Sequence, residues 1–148
     1  MTFTRTNSDN KDFQNLVEAL DADLKTRDGE DNAFYAQFNK ITAIKHVIVV
    51  YENGLPLDYG AIKQYSGNTM EVKQMYMLPE KRGHGIAASI LSELEVWAKE
   101  LNYTRCVLET GQKQPKAIAL YKKQGYQIIP NYGQYEGIAN SICFEKIF

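Results

Sequence analysis

Cysteine is scarce in this chain: Cys106 and Cys143 are the only two among 148 residues. Neither has a second Cys or a His at metal-ligand spacing, so no metal site is expected. Set among apolar or β-branched neighbours, both read as buried structural thiols. Long hydrophobic runs are missing too. No segment approaches the roughly 18 apolar residues of a membrane span, and the polar opening MTFTRTNSDN lacks the apolar stretch of a signal peptide. The expectation is a cytoplasmic protein with no membrane partner. An excess of either charge is also absent. Seventeen basic residues against eighteen acidic ones leave a formal charge of -1, which argues against a basic stripe across the surface and hence against a nucleic-acid partner. There is no internal repeat, linker or low-complexity stretch. With 44% hydrophobic and 24% charged residues, residues 1–148 are expected to bury one continuous core as one domain.

Periodicity supplies the elements. A short strand at Phe3 to Thr6 precedes SDNKD, which offers caps for an amphipathic helix carrying Phe13, Leu16, Val17, Leu20 and Leu24 at helical spacing. Turn chemistry in RDGEDNAFYAQFNK then leads to Phe34, Tyr35 and Phe38, which suit a short second helix or a loop with aromatic anchors. The β-branched run HVIVVY reads as a strand from His46. Glu52-Asn53-Gly54 reads as a turn, and Leu57 to Tyr65 and Thr69 to Met77 as two further strands of an antiparallel meander. Beyond Pro79 a basic, glycine-containing loop opens a long helix, Gly85 to Leu101, with Ile86, Ile90, Leu91, Leu94 and Trp97 on one side. A strand follows at Arg105 to Glu109, then a helix from Pro115 to a stop at Gly125. Two terminal strands are expected near Tyr126 to Ile129 and Ile142 to Phe148. A meander followed by alternating helices and strands predicts an α/β (α+β) fold, a mixed sheet with helices on both faces.

The stretch Met77-Leu78-Pro79-Glu80-Lys81-Arg82-Gly83-His84-Gly85-Ile86-Ala87 is the most informative. A strand ends, glycines allow a close backbone approach, and a helix begins, so converging N–H groups and the helix dipole would favour a phosphate there. Two glycines could equally do no more than turn a strand into a helix. Two cofactor classes drop out: Gly-Lys-Ser/Thr is missing, so this is no nucleotide P-loop, and no third glycine completes a dinucleotide fingerprint.

Arg82-Gly83-His84-Gly85-Ile86-Ala87 resembles Gln/Arg-x-x-Gly-x-Gly/Ala, the acyl-CoA pyrophosphate loop of the GNAT N-acetyltransferase superfamily. Its surroundings resemble that family as well. Glu71 to Pro79 looks like the strand leading into the loop, and Ala117-Ile118-Ala119-Leu120-Tyr121-Lys122-Lys123-Gln124-Gly125-Tyr126 resembles the Ala-x-x-Leu-Tyr-x-x-x-Gly-Phe/Tyr helix. The resemblance covers most of the chain from about His46 onward. It implies the GNAT fold, a mixed central sheet of about six to seven strands flanked by about four helices, and an enzyme that moves an acetyl group from acetyl-CoA to an amine.

By that resemblance the loop amides of Arg82, Gly83, His84, Gly85, Ile86 and Ala87 would hold the pyrophosphate. The pantetheine arm would pair with the strand near Met75 and Met77 like an added strand. Where many members carry Asn three residues before the Ala of the last helix, this chain has Gln114, whose longer amide could still reach the cofactor. Lys113, Lys116, Lys122 and Lys123 are candidates for the 3'-phosphate, with a solvated charged face as the alternative. Tyr121 matches the tyrosine that stands beside the sulfur as a proton donor, unless it only packs. Glu71 occupies the place of a carboxylate base, unless it faces solvent or pairs with Lys73. An amide near Met77 would polarise the thioester carbonyl. His84 goes with the phosphate and His46 reads as structural.

The acceptor side is less defined. Glu18, Asp21, Asp23, Asp28, Glu30 and Asp31 outnumber Lys25 and Arg27 in the opening stretch, which would draw a cationic amine or merely form a solvated helix face. Asn131 to Gly137 reads as a mobile aromatic loop whose tyrosines, with Phe34 and Tyr35, could line an acceptor pocket. A small amine-bearing metabolite is the preferred acceptor. A protein lysine or N-terminus, and a non-catalytic acyl-CoA sensor, stand as alternatives. The edge of the terminal strands offers a route to a homodimer.

Overall fold

A computed structural model describes residues 1–28, 44–77 and 85–148, with the backbone alone over 20–28 and 74–77. Strand β1 (Thr2–Thr6) leads into helix α1 (Lys11–Asp28). The start of α1 is fixed by Asn10, whose Oδ1 accepts the Phe13 N–H at 2.8 Å. The meander then runs through β2 (His46–Glu52), β3 (Leu55–Ser66) and β4 (Thr69–Met77). Asn53 and Gly54 both adopt positive φ, 53° and 79°, the conformation a two-residue hairpin needs to match strand twist.

Helix α2 (Ile86–Glu100), strand β5 (Arg105–Gly111), helix α3 (Pro115–Lys123), strand β6 (Gln127–Ile129), a 3-10 turn (Gly133–Tyr135) and strand β7 (Ser141–Ile147) complete the described chain. The expected elements are present with ends shifted by a residue or two; the 3-10 turn was not foreseen. The described residues contain three α-helices, and the aromatic segment with Phe34, Tyr35 and Phe38 lies outside them.

The seven strands form one sheet in the order β1-β2-β3-β4-β5-β7-β6. Every pairing is antiparallel except β4 with β5. The run HVIVVY is apolar on both sides because β2 is covered on both faces. Val47 and Val49 join Phe13, Leu16 and Val17 of α1, whereas Ile48 and Val50 join Ile90, Leu91 and Leu94 of α2. Met70 and Val72 of β4 face the α2 side with Tyr121 and Tyr126, which leaves Glu71 and Lys73 on the opposite face by strand alternation.

Of the two terminal strands, β7 lies between β5 and β6, so the edge that they offer is the three-residue β6.

Candidate active site

The site begins with a failure of pairing. Strands β4 and β5 pair in parallel at Thr69↔Arg105, Met70↔Cys106 and Glu71↔Val107, and their recorded pairing ends there, although β4 continues to Met77 and β5 to Gly111. A register shift sits beside this point. Between the pairs Ala61↔Lys73 and Tyr59↔Tyr76, β4 advances by three residues while β3 advances by two. One extra residue in β4 bends the strand and increases its twist. Both parallel strands feed a helix from their C-terminal ends, β4 into α2 and β5 into α3. In open sheets, a crevice outside such strand ends is where ligands bind, and helix N-termini there favour anions.

Glu71 stands at the last β4–β5 pair. It is 7% exposed and is held from two sides. Tyr132 donates its O–H to Glu71 Oε2, and the Lys73 ammonium lies 3.9 Å from Oε1. Lys73 in turn donates to the Tyr135 hydroxyl at 3.2 Å. Tyr132 also makes edge contacts with two further tyrosine rings, Tyr65 at 5.0 Å and Tyr135 at 5.6 Å. Burial, and then the Glu71 charge, push the Tyr132 phenol well above its ordinary range, so it stays protonated and acts as donor. Tyr135 moves the same way, through burial and then Glu109 and Glu71. The loop expected to be mobile is therefore docked. Its 3-10 turn places Tyr135 in the interior, 3% exposed.

Tyr121 lies on the other side of the sheet. It packs against Tyr126 and Phe144 at ring distances of 6.0 and 5.8 Å, and burial, with a smaller push from Glu109, raises its phenol to about 12. Glu109 of β5 was missed in the sequence. It sits beyond the last pair with β4, accepts from Ser141 Oγ at 2.7 Å, and its field reaches Tyr121 on one face and Tyr135 on the other. Glu109 thus acts on Tyr121 and, across the sheet, on Tyr135, the tyrosine that accepts from Lys73.

The remaining expected residues divide by location. Met75 and Met77 belong to the part of β4 beyond its pairing with β5. Arg82, Gly83 and His84 lie outside the described residues. Gly85 caps α2 with φ 75°, a left-handed conformation that favours glycine. Ile86 turns its side chain into the core at 4% exposed, so only its backbone N–H can serve an anion; Ala87 is half-buried in the same first turn. Gln114 occupies the N-cap of α3, with Lys116 exposed in its first turn. Lys113, Lys122 and Lys123 are exposed as well. His46 lies edge-on to Trp97 at 4.9 Å, on the α2 side of the sheet and so on the face opposite Glu71. Among the described residues no cluster of His, Cys, Asp or Glu could hold a metal ion, and no helix is long and apolar enough to cross a membrane.

Comparison with known proteins gives the family. The chain belongs to the Acetyltransferase (GNAT) family, whose profile matches residues 13–126. It is a member of an N-acetyltransferase enzyme family. An IAA acetyltransferase of Azospirillum brasilense is 34% identical over 100 residues, covering 67% of this chain and 65% of that protein. The chain spans between 34% and 65% of the length of the curated relatives it matches. Among solved structures, an acyl-CoA N-acyltransferase candidate from Klebsiella pneumoniae subsp. pneumoniae is 28% identical with a TM-score of 0.82, covering 99% of this chain and 96% of that one. The PaiA N-acetyltransferase of Thermoplasma acidophilum, solved with coenzyme A, shares the fold at 16% identity and a TM-score of 0.73 over the full length of both chains.

Proposed function

We propose that this protein transfers the acetyl group of acetyl-CoA to a small amine-bearing metabolite, with Glu71 as general base and Tyr121 as the hydrogen-bond donor to the departing sulfur. The observation that carries the reading is the divergence of β4 and β5 beyond Glu71↔Val107. It leaves the edge of β4 around Met75 and Met77 available to an extended pantetheine arm. The backbone amides of Arg82 through Ala87 would take the pyrophosphate, where the positive end of α2 supplies attraction without a side chain. Gln114 and Lys116, at the start of α3, would take the remaining polar contacts of the cofactor. Coenzyme A in the similarly folded PaiA enzyme supports the same cofactor class.

When bound, acetyl-CoA supplies an acetyl group activated as a thioester. Glu71 accepts a proton from the amine as its nitrogen lone pair commits to the carbonyl carbon. An amide N–H near Met77 stabilises the negative charge that develops on the carbonyl oxygen. Tyr121, with its phenol near 12, keeps its proton throughout the working pH range and donates a hydrogen bond to the thiolate as the carbon–sulfur bond breaks. A slender acceptor suits Glu71 better than a broad peptide surface does, because Glu71 is 7% exposed and is held between Tyr132 and Lys73.

The test is calorimetric titration with acetyl-CoA, followed by thiol release in the presence of pooled amines. Binding with amine-dependent release is expected, falling by about 100-fold in Glu71→Gln and about 10-fold in Tyr121→Phe. Glu109→Gln belongs in the same series: if it, and not Glu71→Gln, abolishes release, the base is assigned to the wrong carboxylate. Binding without release for any acceptor would instead describe an acyl-CoA sensor. Absence of binding would sink the proposal.

A further inference from the structure

Glu71 has neighbours that a base exposed in a cleft would not need. One of its oxygens, Oε2, accepts the Tyr132 O–H, whereas Oε1 has the Lys73 ammonium at 3.9 Å, beyond hydrogen-bond length. Tyr132 is itself fixed. Its ring meets Tyr65 on one side and Tyr135 on the other. Gly133 follows it at φ 53°, and an added Cβ there would lie 3.5 Å from the Tyr65 hydroxyl. A carboxylate with one oxygen held cannot rotate freely, and its two oxygens become distinct.

From this geometry we infer that Tyr132 is a positioning residue for the acetyl-transfer reaction: it clamps Glu71 Oε2, so that Oε1, on the Lys73 side, is the oxygen that takes the acceptor's proton. The acceptor amine then approaches along the Lys73–Tyr135 side of the cluster. The Lys73 cation there favours the neutral form of an arriving amine, the form that can attack. The inference rests on the reading of Glu71 as the base.

The titratable and charged groups around Glu71 are Lys63, its cross-strand partner on β3, Lys73 on β4, Tyr132, and Tyr135. Cys143 of β7 feels its charge and that of Glu109 on β5. Of these, Tyr132 alone donates a hydrogen bond to it among the described contacts.

The experiment needs no acceptor at its first stage. Protein labelled with 13C at the glutamate carboxyls is observed by NMR at one fixed pH, and the resonance lost in Glu71→Gln identifies Glu71. In Tyr132→Phe that resonance is expected to move, because one of its two oxygens loses its hydrogen bond. Difluorotyrosine at position 132, a stronger donor of nearly unchanged shape, is expected to move it the opposite way; this covers the case in which Tyr132→Phe folds poorly. With an acceptor found, kcat should fall by about 10-fold in Tyr132→Phe while the KM for acetyl-CoA stays fixed. An unmoved resonance, or an unmoved kcat, in both Tyr132 variants overturns the clamp and leaves the base assignment standing. A kcat that also stays in Glu71→Gln refutes Glu71 as the base and overturns the inference with it.

Discussion

The buried carboxylate of Glu95 gives the sharpest test of how the two halves of the sheet are joined. Glu95 lies on the inner face of α2 with its side chain 8% exposed, and Lys146 of β7, 31% exposed, donates to Oε1 at 2.9 Å. The Tyr126 hydroxyl donates to Oε2 at 2.9 Å. Tyr126 is 3% exposed and sits between α3 and β6, so one carboxylate ties α2 to elements on the far side of β5. Tyr126→Phe removes a hydrogen bond to an ionised group without opening a cavity and is expected to cost about 1.5–2 kcal/mol. Glu95→Ala removes both bonds and strands the Tyr126 hydroxyl. Because Lys146 can turn to solvent, the loss should stay near the lower end of the range for broken buried pairs, about 3 kcal/mol. The assay is urea unfolding at fixed slope, with melting temperatures as a check; each kcal/mol corresponds to roughly 2–4 °C at this size. A double-mutant cycle decides the cause. In the Glu95→Ala background, Tyr126→Phe should turn stabilising, by about 1 kcal/mol or more, because it removes the buried hydroxyl left without its partner. The same cost in both backgrounds would refute the hydrogen bond as the source.

Three further outcomes follow from single residues. Gly85→Ala should cost about 1 kcal/mol through its left-handed backbone alone, since an added Cβ meets nothing within 4 Å; a urea midpoint implying more than twice that would mean the cap region is tighter than its geometry. Burial, helped by Lys45, lowers the His46 pKa below its ordinary 6.5, so the folded state binds its proton less readily than the unfolded one. That contribution to stability is complete above about 6.5 and is lost as the pH falls through the folded value. His46→Phe should flatten the stability profile in that window, as read by unfolding at closely spaced pH. Burial raises the Cys106 and Cys143 thiols to about 12 and about 11, so at pH 8 a thiol reagent should label neither in the native protein and both at the rate of unfolding; fast native labelling at either would contradict their placement.

Sequence legibility divides along contact range. What the sequence disclosed is local: the strand at HVIVVY, the turn at Asn53-Gly54, the helix start at Gly85 and the helical face of Ile90, Leu91 and Leu94 each follow from residue type, from helical spacing or from one backbone requirement. The family resemblance added the place of Glu71 and Tyr121 in strand and helix. Hidden from both were the contacts that decide what surrounds them. Glu71 meets Tyr132 across 61 positions, and Glu109 meets Ser141 across 32. Both contacts depend on β7 lying between β5 and β6 in a fixed register. A slip of one residue in β7 would exchange the faces of Cys143 and Phe144 and carry Ser141 away from Glu109. The aromatic composition of Asn131 to Gly137 announced side chains able to line a pocket. It could not announce that Lys73 and Glu71 were waiting beneath them, because a tyrosine-rich loop stays mobile or docks according to the partners the sheet presents. The same logic separates the two halves of the site: a glycine that must turn a strand into a helix is written in its own residue type, whereas a base that must be oriented is written in residues brought to it by the fold.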